Sequence, residues 1–160
     1  MSTRPAIANR ATRAGSIRQH LFAVGLILVP LCPLTVHAAD KDVIEYRTHI
    51  MHTLNEQSAA LGQILSASVP DANAQAHLEA IALTASTALK AFEPKVAGGE
   101  SKATVWSNWA DFSKRMNDFA RLTREAAKVA KEKGFTAAGP SVIDALTCKS
   151  CHDVYREEKK

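Results

Sequence analysis

The chain has 160 residues, 46% hydrophobic and 22% charged, with only 7 Gly and 6 Pro; this describes one or at most two globular domains and excludes a disordered, collagenous or disulfide-dense chain. Its formal net charge of +4 comes from 20 Lys and Arg against 16 Asp and Glu, and four of the arginines (Arg4, Arg10, Arg13, Arg18) lie within residues 1–38, where there is no acid. The rest of the chain carries 16 charges of each sign, which leaves no basic footprint for nucleic acid or for an anionic membrane surface.

Residues 1–38 read as an address. The arginines precede an apolar run from Leu21 to Leu34, broken by Gly25, Pro30 and Pro33, and Val36-His37-Ala38 supplies small side chains for a peptidase cut after Ala38. A positive region, a short apolar core and a V-x-A end are the parts of a cleaved secretory signal peptide. The run is shorter than the roughly 20 apolar residues of a membrane-spanning helix, so no stable membrane insertion is expected after cleavage. Cys32 lies between Leu31 and Pro33, which do not suit lipidation, and is expected to be discarded with the signal. The mature domain is then 39–160, and its expected compartment is the periplasm.

From Asp40 to about Ser66, apolar residues fall at Val43/Ile44, Ile50/Met51, Leu54, Leu61 and Ile64/Leu65, one stripe of an amphipathic helix. Val69-Pro70 breaks it, and Asp71 is placed to cap a second helix through Leu78, Ile81, Ala85, Leu89 and Phe92, which stops at Pro94. After a loop centred on Gly98-Gly99, the steps Val105, Trp109, Phe112, Met116, Phe119, Thr123, Ala126 and Ala130 predict a third helix, ended by Gly134 after a Lys-rich turn. A loop ending in Gly139-Pro140 leads to Ser141 as a cap and to a fourth helix through Val142, Ile143 and Leu146 to the C-terminus. No stretch alternates as a strand does. Four helices with short connections predict an all-α, antiparallel up-down-up-down bundle, with room for a modest core or a core and one large prosthetic group.

Beyond the signal segment, the cysteines are confined to Cys148-Lys149-Ser150-Cys151-His152. C-x-x-C-H is the attachment sequence of c-type haem. On a helix, thiols at i and i+3 share a face and can add to the two vinyl groups on one porphyrin edge. The histidine at i+4 lies on the same side, where its imidazole can bind the iron. A redox dithiol would want a βαβ context, a zinc site would want about four ligands, and a plain disulfide would leave His152 unexplained. One covalent haem c per chain is therefore expected, with Cys148 and Cys151 attaching it and His152 as axial ligand.

In this topology the first and fourth helices are antiparallel neighbours. His152 lies roughly 8 residues from the chain end, about 12 Å at 1.5 Å per residue, which puts a group on the other face of the iron about 8 to 10 residues into the first helix. Met51 lies near that level on the apolar stripe. Its thioether suits a sixth ligand of an electron-carrying haem, and it equally suits a space-filling core side chain. His49 and His52 flank it but point off the stripe. Arg47, one turn earlier on the face of Met51, can pair with a haem propionate through a planar fork or be a solvated helix charge. His77 reads as surface and Met116 as core. Trp106, Trp109, Phe112 and Phe119 read as core packing that is also able to line one face of a porphyrin. There is no acid–base or nucleophile constellation of an enzyme.

Three features together resemble the class II c-type cytochromes, the cytochrome c' family with its low-spin methionine-ligated members: Cys148-Lys149-Ser150-Cys151-His152-Asp153 at the end of the chain, Tyr46-Arg47-Thr48-His49-Ile50-Met51 in the first helix, and Val105-Trp106-Ser107-Asn108-Trp109-Ala110-Asp111-Phe112 opening the third. The resemblance implies a periplasmic four-helix bundle with covalent haem, His152 as proximal ligand, Met51 at the distal position and Arg47 near a propionate. Low-spin members use such a methionine as a sixth ligand and carry electrons, which implies redox partner proteins in the periplasm. High-spin members leave the iron five-coordinate and bind NO or CO. After Met51 this chain has His52-Thr53-Leu54-Asn55, where Lys and a Gly are often found. The family also implies homodimers through the first two helices, although neither carries a stripe assignable to that surface. The expectation is an electron-transfer cytochrome with His152/Met51 ligation, with gas binding as the alternative.

Overall fold

A computed structural model describes residues 40–158; the expected signal peptide, 1–38, lies outside the described residues. Helix α1 (Asp40–Leu65) opens with Asp40 and Asp42, which complement the positive end of the helix dipole, and buries Arg47, Leu54, Leu61 and Ile64. Helix α2 is Ala74–Ala88. The expected cap at Asp71 is not used: Asp71–Asn73 forms a 3₁₀ turn, and α2 starts after Asn73 with no side-chain cap bond. A second 3₁₀ turn, Leu89–Phe92, extends α2 and buries Phe92.

The third expected helix is interrupted at its start. A single turn, α3 (Thr104–Ser107), is separated from α4 (Trp109–Lys133) by Asn108, whose backbone leaves the helical region at φ −121°, ψ 47°. Gly134 closes α4 as predicted: it takes φ 86°, open to glycine without strain, and its N–H donates to the Ala130 carbonyl at 2.9 Å.

The fourth helix differs most from expectation. Helix α5 (Phe135–Ala145) runs straight through Gly139-Pro140, so Ser141 caps nothing. Pro140 is tolerated because both it and Thr136, whose carbonyl it leaves without an intrahelical donor, are exposed. The helix then breaks at Leu146-Thr147 and resumes as α6 (Cys148–Tyr155). Ile143, assigned to the apolar stripe, is 66% exposed.

Helix α1 packs on α2, α2 on α4, and α4 on α5, which gives an all-α four-helix bundle. Leu61, Leu78, Ile81, Val105 and Val142 are almost fully enclosed, each contributing about 2 kcal/mol of apolar burial. Alanines at 85 and 88 of α2 and at 126, 127 and 130 of α4 let those helices approach closely. Thr123 is satisfied in the core by donating to the Phe119 carbonyl at 2.9 Å. The expected packing of the first helix on the last is not among the close pairs. Helices α1 and α6 instead both contribute to the lining of one cavity.

Candidate haem site

The cavity has a volume of about 360 Å3. Helix α1 contributes Arg47, Met51 and His52, and α6 contributes Cys151, His152 and Tyr155. Phe92, Val105, Phe112 and Met116 form apolar parts of the wall, and Gly98–Ser101 closes one edge.

The closing segment is held from two sides. Gly98 and Gly99 take φ 120° and 65° and lie against Ile44 of α1, so closely that an added Cβ would come within 3.0 and 2.9 Å of that side chain. From there the chain covers the carbonyl end of α6. The Lys102 N–H donates to the Tyr155 carbonyl at 3.0 Å, the Thr104 hydroxyl to Val154 at 3.1 Å and the Lys102 ammonium to Asp153 at 3.2 Å. These carbonyls would otherwise be the unpaired end of a two-turn helix.

Arg47 is the most informative residue. It is 3% exposed, and both terminal guanidinium nitrogens are buried without a hydrogen-bond partner. Its charge is held between aromatic faces, 5.5 Å from the Phe92 ring centroid and 5.1 Å from that of Trp106. Trp106 is fixed in turn by donating its indole N–H to the Phe92 carbonyl at 2.9 Å. Burial lowers the Arg47 pKa, but a guanidinium stays protonated. A buried cation with two open donors calls for an anion in the cavity, and a carboxylate matches its fork. The reading of Arg47 as a solvated charge is thereby overturned.

Cys148 and Cys151 are free thiols, Cys148 exposed and Cys151 half-buried, and desolvation raises the pKa of both. Cys151 lines the cavity; Cys148 is not part of its lining. Burial lowers the His152 pKa, with Arg156 adding to the effect, which favours the neutral imidazole that a metal requires. Met51, half-buried, lines the same cavity. His49 is exposed and lies 3.6 Å from Glu45, whereas His52, also exposed, reaches the cavity lining. His77 is not simple surface: it is half-buried and its Nδ1 shares a hydrogen bond with Gln57 Oε1 at 2.8 Å, linking α2 to α1. Met116 is core as expected, and its side chain also borders the cavity.

Sequence reasoning missed a polar cluster beneath α6. The buried Tyr155 donates its phenol proton to Asp111 Oδ2 at 2.5 Å and accepts from the Asn108 amide at 3.2 Å. Arg115 Nε donates to the same Asp111 oxygen at 2.6 Å. The Tyr155 and Arg115 hydrogen bonds hold the Asp111 carboxyl below its usual pKa. The i,i+4 spacing of Asp111 and Arg115, and of Cys151 and Tyr155, was the available signal.

A group with carboxylates, an apolar body and a need for a thiol-bearing edge and an imidazole fits this wall: Arg47 could hold a propionate, Cys148 and Cys151 the porphyrin edge, and His152 the iron. Such a motif on the last helix of an all-α bundle defines a class II c-type cytochrome. The cytochrome c' family model matches residues 42–156, and the chain belongs to that family, whose members carry covalently attached haem c.

Among curated relatives, the cytochrome c' of Alcaligenes xylosoxydans xylosoxydans is 25% identical over 128 residues, covering 76% of this chain and 98% of that protein. Among solved structures, the ferric cytochrome c' from Alcaligenes xylosoxidans superposes with a TM-score of 0.70 at 22% identity, over 76% of this chain and 98% of that one. The cytochrome c' from Shewanella frigidimarina superposes with a TM-score of 0.67 at 24% identity, over 76% and 99%.

Proposed function

We propose that this protein is a periplasmic electron-transfer cytochrome, not an enzyme, and that its haem lies between α1 and α6. In this reading Cys148 and Cys151 bind the porphyrin edge covalently, His152 and Met51 are the axial ligands, and Arg47 neutralises a propionate. The mature domain is 39–160, following a cleaved signal peptide. The single observation that carries the reading is the buried, unpartnered Arg47 guanidinium in one cavity with Met51, Cys151 and His152.

The bound haem supplies a one-electron couple. The chain's own residues define its surroundings. His152, whose pKa is lowered by burial, would offer a neutral ring nitrogen, and the Met51 thioether in the lining of the same cavity would offer a sulfur. Phe92, Val105, Phe112 and Met116 keep the local dielectric low, which strengthens the pairing of Arg47 with a carboxylate. Electrons would be exchanged with periplasmic redox partner proteins. Among the described residues no helix is long and apolar enough to cross a membrane.

The ferric visible spectrum tests this reading: low-spin bands support Met51 ligation, and high-spin bands at neutral pH contradict it. The second reading, a five-coordinate haem that binds NO or CO, is favoured by family membership and by the nitrosyl complex of a variant of the Alcaligenes xylosoxidans protein. Rapid CO uptake by the ferrous protein without displacement of a ligand would transfer the assignment to it.

A further inference from the structure

Helix α6 has only eight residues, too few to hold a helical conformation alone, so whatever ties it to the bundle also sets where its side chains sit. The hydrogen bonds given above attach it at the carbonyl end to residues 102–104. A second attachment runs to α4 through Asp111. One carboxylate oxygen, Oδ2, accepts from both the Tyr155 hydroxyl at 2.5 Å and Arg115 Nε at 2.6 Å. Arg115 then reaches α6 again: its Nη1 donates to the Ser150 carbonyl at 3.5 Å, and its guanidinium lies 5.9 Å from the Tyr155 ring centroid. Ser150 and Tyr155 lie on either side of His152 in the helix. The attachment therefore brackets the proposed iron ligand without touching it. Tyr155 is 4% exposed and packs edge-on against Phe112, with centroids 5.1 Å apart, so the cluster also forms part of the cavity wall.

We propose that Asp111 is the positioning residue of the haem-bearing helix: by gathering Tyr155 and Arg115 on one oxygen it fixes α6 against α4 and holds the His152 imidazole in register with the Met51 wall. The proposal rests on the haem reading of the cavity. The Asp111 side chain is hydrogen-bonded to Tyr155 and Arg115 and not to a thiol or the imidazole, and its role is exerted through those two residues.

The test is a double-mutant cycle on the full haem-loaded protein with Asp111→Asn, Tyr155→Phe and the pair. It reads amide hydrogen exchange across residues 148–155 and the midpoint potential. Tyr155→Phe keeps the ring and changes no formal charge. Each single substitution is expected to speed exchange in α6 by about tenfold or more, the loss associated with a hydrogen bond to a charged group. The double variant should add little to Asp111→Asn, because the link from Tyr155 to the carboxylate is already lost in that single variant. Tyr155→Phe should also shift the potential. Exchange at the wild-type rate in both single variants overturns the proposal. A potential moved by Asp111→Asn but not by Tyr155→Phe also overturns it, since Asp111 would then act only as a charge. A pyridine haemochrome assay that finds no haem contradicts the site reading instead, and the exchange arm still decides whether Asp111 holds α6.

Discussion

Arg47 of the first helix and His152 of the last line one cavity, and the two helices that carry them do not pack closely on each other. The separation has a physical logic. Two apolar stripes facing each other would close, but a buried guanidinium with two open donors resists closure unless an anion joins it.

That logic predicts a reversal of sign. In the haem-loaded protein, Arg47→Leu should destabilise by roughly 3 kcal/mol, the cost of leaving a buried charge without its partner. In a Cys148→Ala/Cys151→Ala background, which cannot attach haem, the same change should be neutral or stabilising. Denaturant unfolding of the four proteins measures this. Equal destabilisation in both backgrounds would mean that Arg47 serves the bundle and not a carboxylate.

Met51→Ala should convert the ferric spectrum from low-spin to high-spin and open the iron to CO. Its stability cost should be near 2 kcal/mol, the low end for methionine truncation, because Met51 is only half-buried. A spectrum that stays low-spin would implicate His52, the histidine of α1 that reaches the cavity lining, and Met51→Ala/His52→Ala would then be needed to produce the high-spin form.

Most of the fold was legible because the helices repeat apolar residues every three or four positions, and α1, α2 and α4 obey that rule over many turns. Legibility failed where a local signal competed with tertiary contacts. Gly139-Pro140 reads as a loop, yet both Pro140 and Thr136, the residue whose carbonyl it orphans, are exposed, so the helix survives it. Asn108 interrupts a regular stripe because its side chain is engaged by Tyr155, far away in sequence. At the candidate site, the C-x-x-C-H spacing and the level of Met51 in α1 marked residues of which Cys151, His152 and Met51 do line one cavity. Arg47 was ambiguous, since exposure and burial of an arginine on an amphipathic helix differ by a rotation that no periodicity records. The Asp111 cluster depends on a contact between α4 and α6 and left only weak i,i+4 traces.

Acid stability should carry the signature of Asp111. Its carboxyl is held below the usual range by Tyr155 and Arg115, so its contribution is complete above the ordinary carboxylate pKa and is lost as pH falls through the lower folded value. Asp111→Asn should therefore flatten the stability profile below about pH 4 and cost stability at neutral pH. Unfolding free energies measured across that range check the prediction; a variant profile parallel to wild type would contradict it.

Gly99→Ala should destabilise by about 1–3 kcal/mol, because the residue takes φ 65° and the new methyl would meet Ile44 Cγ2 at 2.9 Å. Ile44→Ala in the same chain should recover part of that loss by removing the clash. If thermal denaturation shows the two changes to be strictly additive, the segment is not seated against α1 in the way described.

The most direct test of the account is the mass of the peptide 125–156, which contains Cys148 and Cys151 and is released by cleavage after Arg124 and Arg156 with an arginine-specific protease, taken from protein exported by a bacterium able to mature c-type cytochromes. The account predicts that this peptide carries the added mass of one haem, bound through both sulfurs. An unmodified or simply disulfide-linked peptide would contradict it.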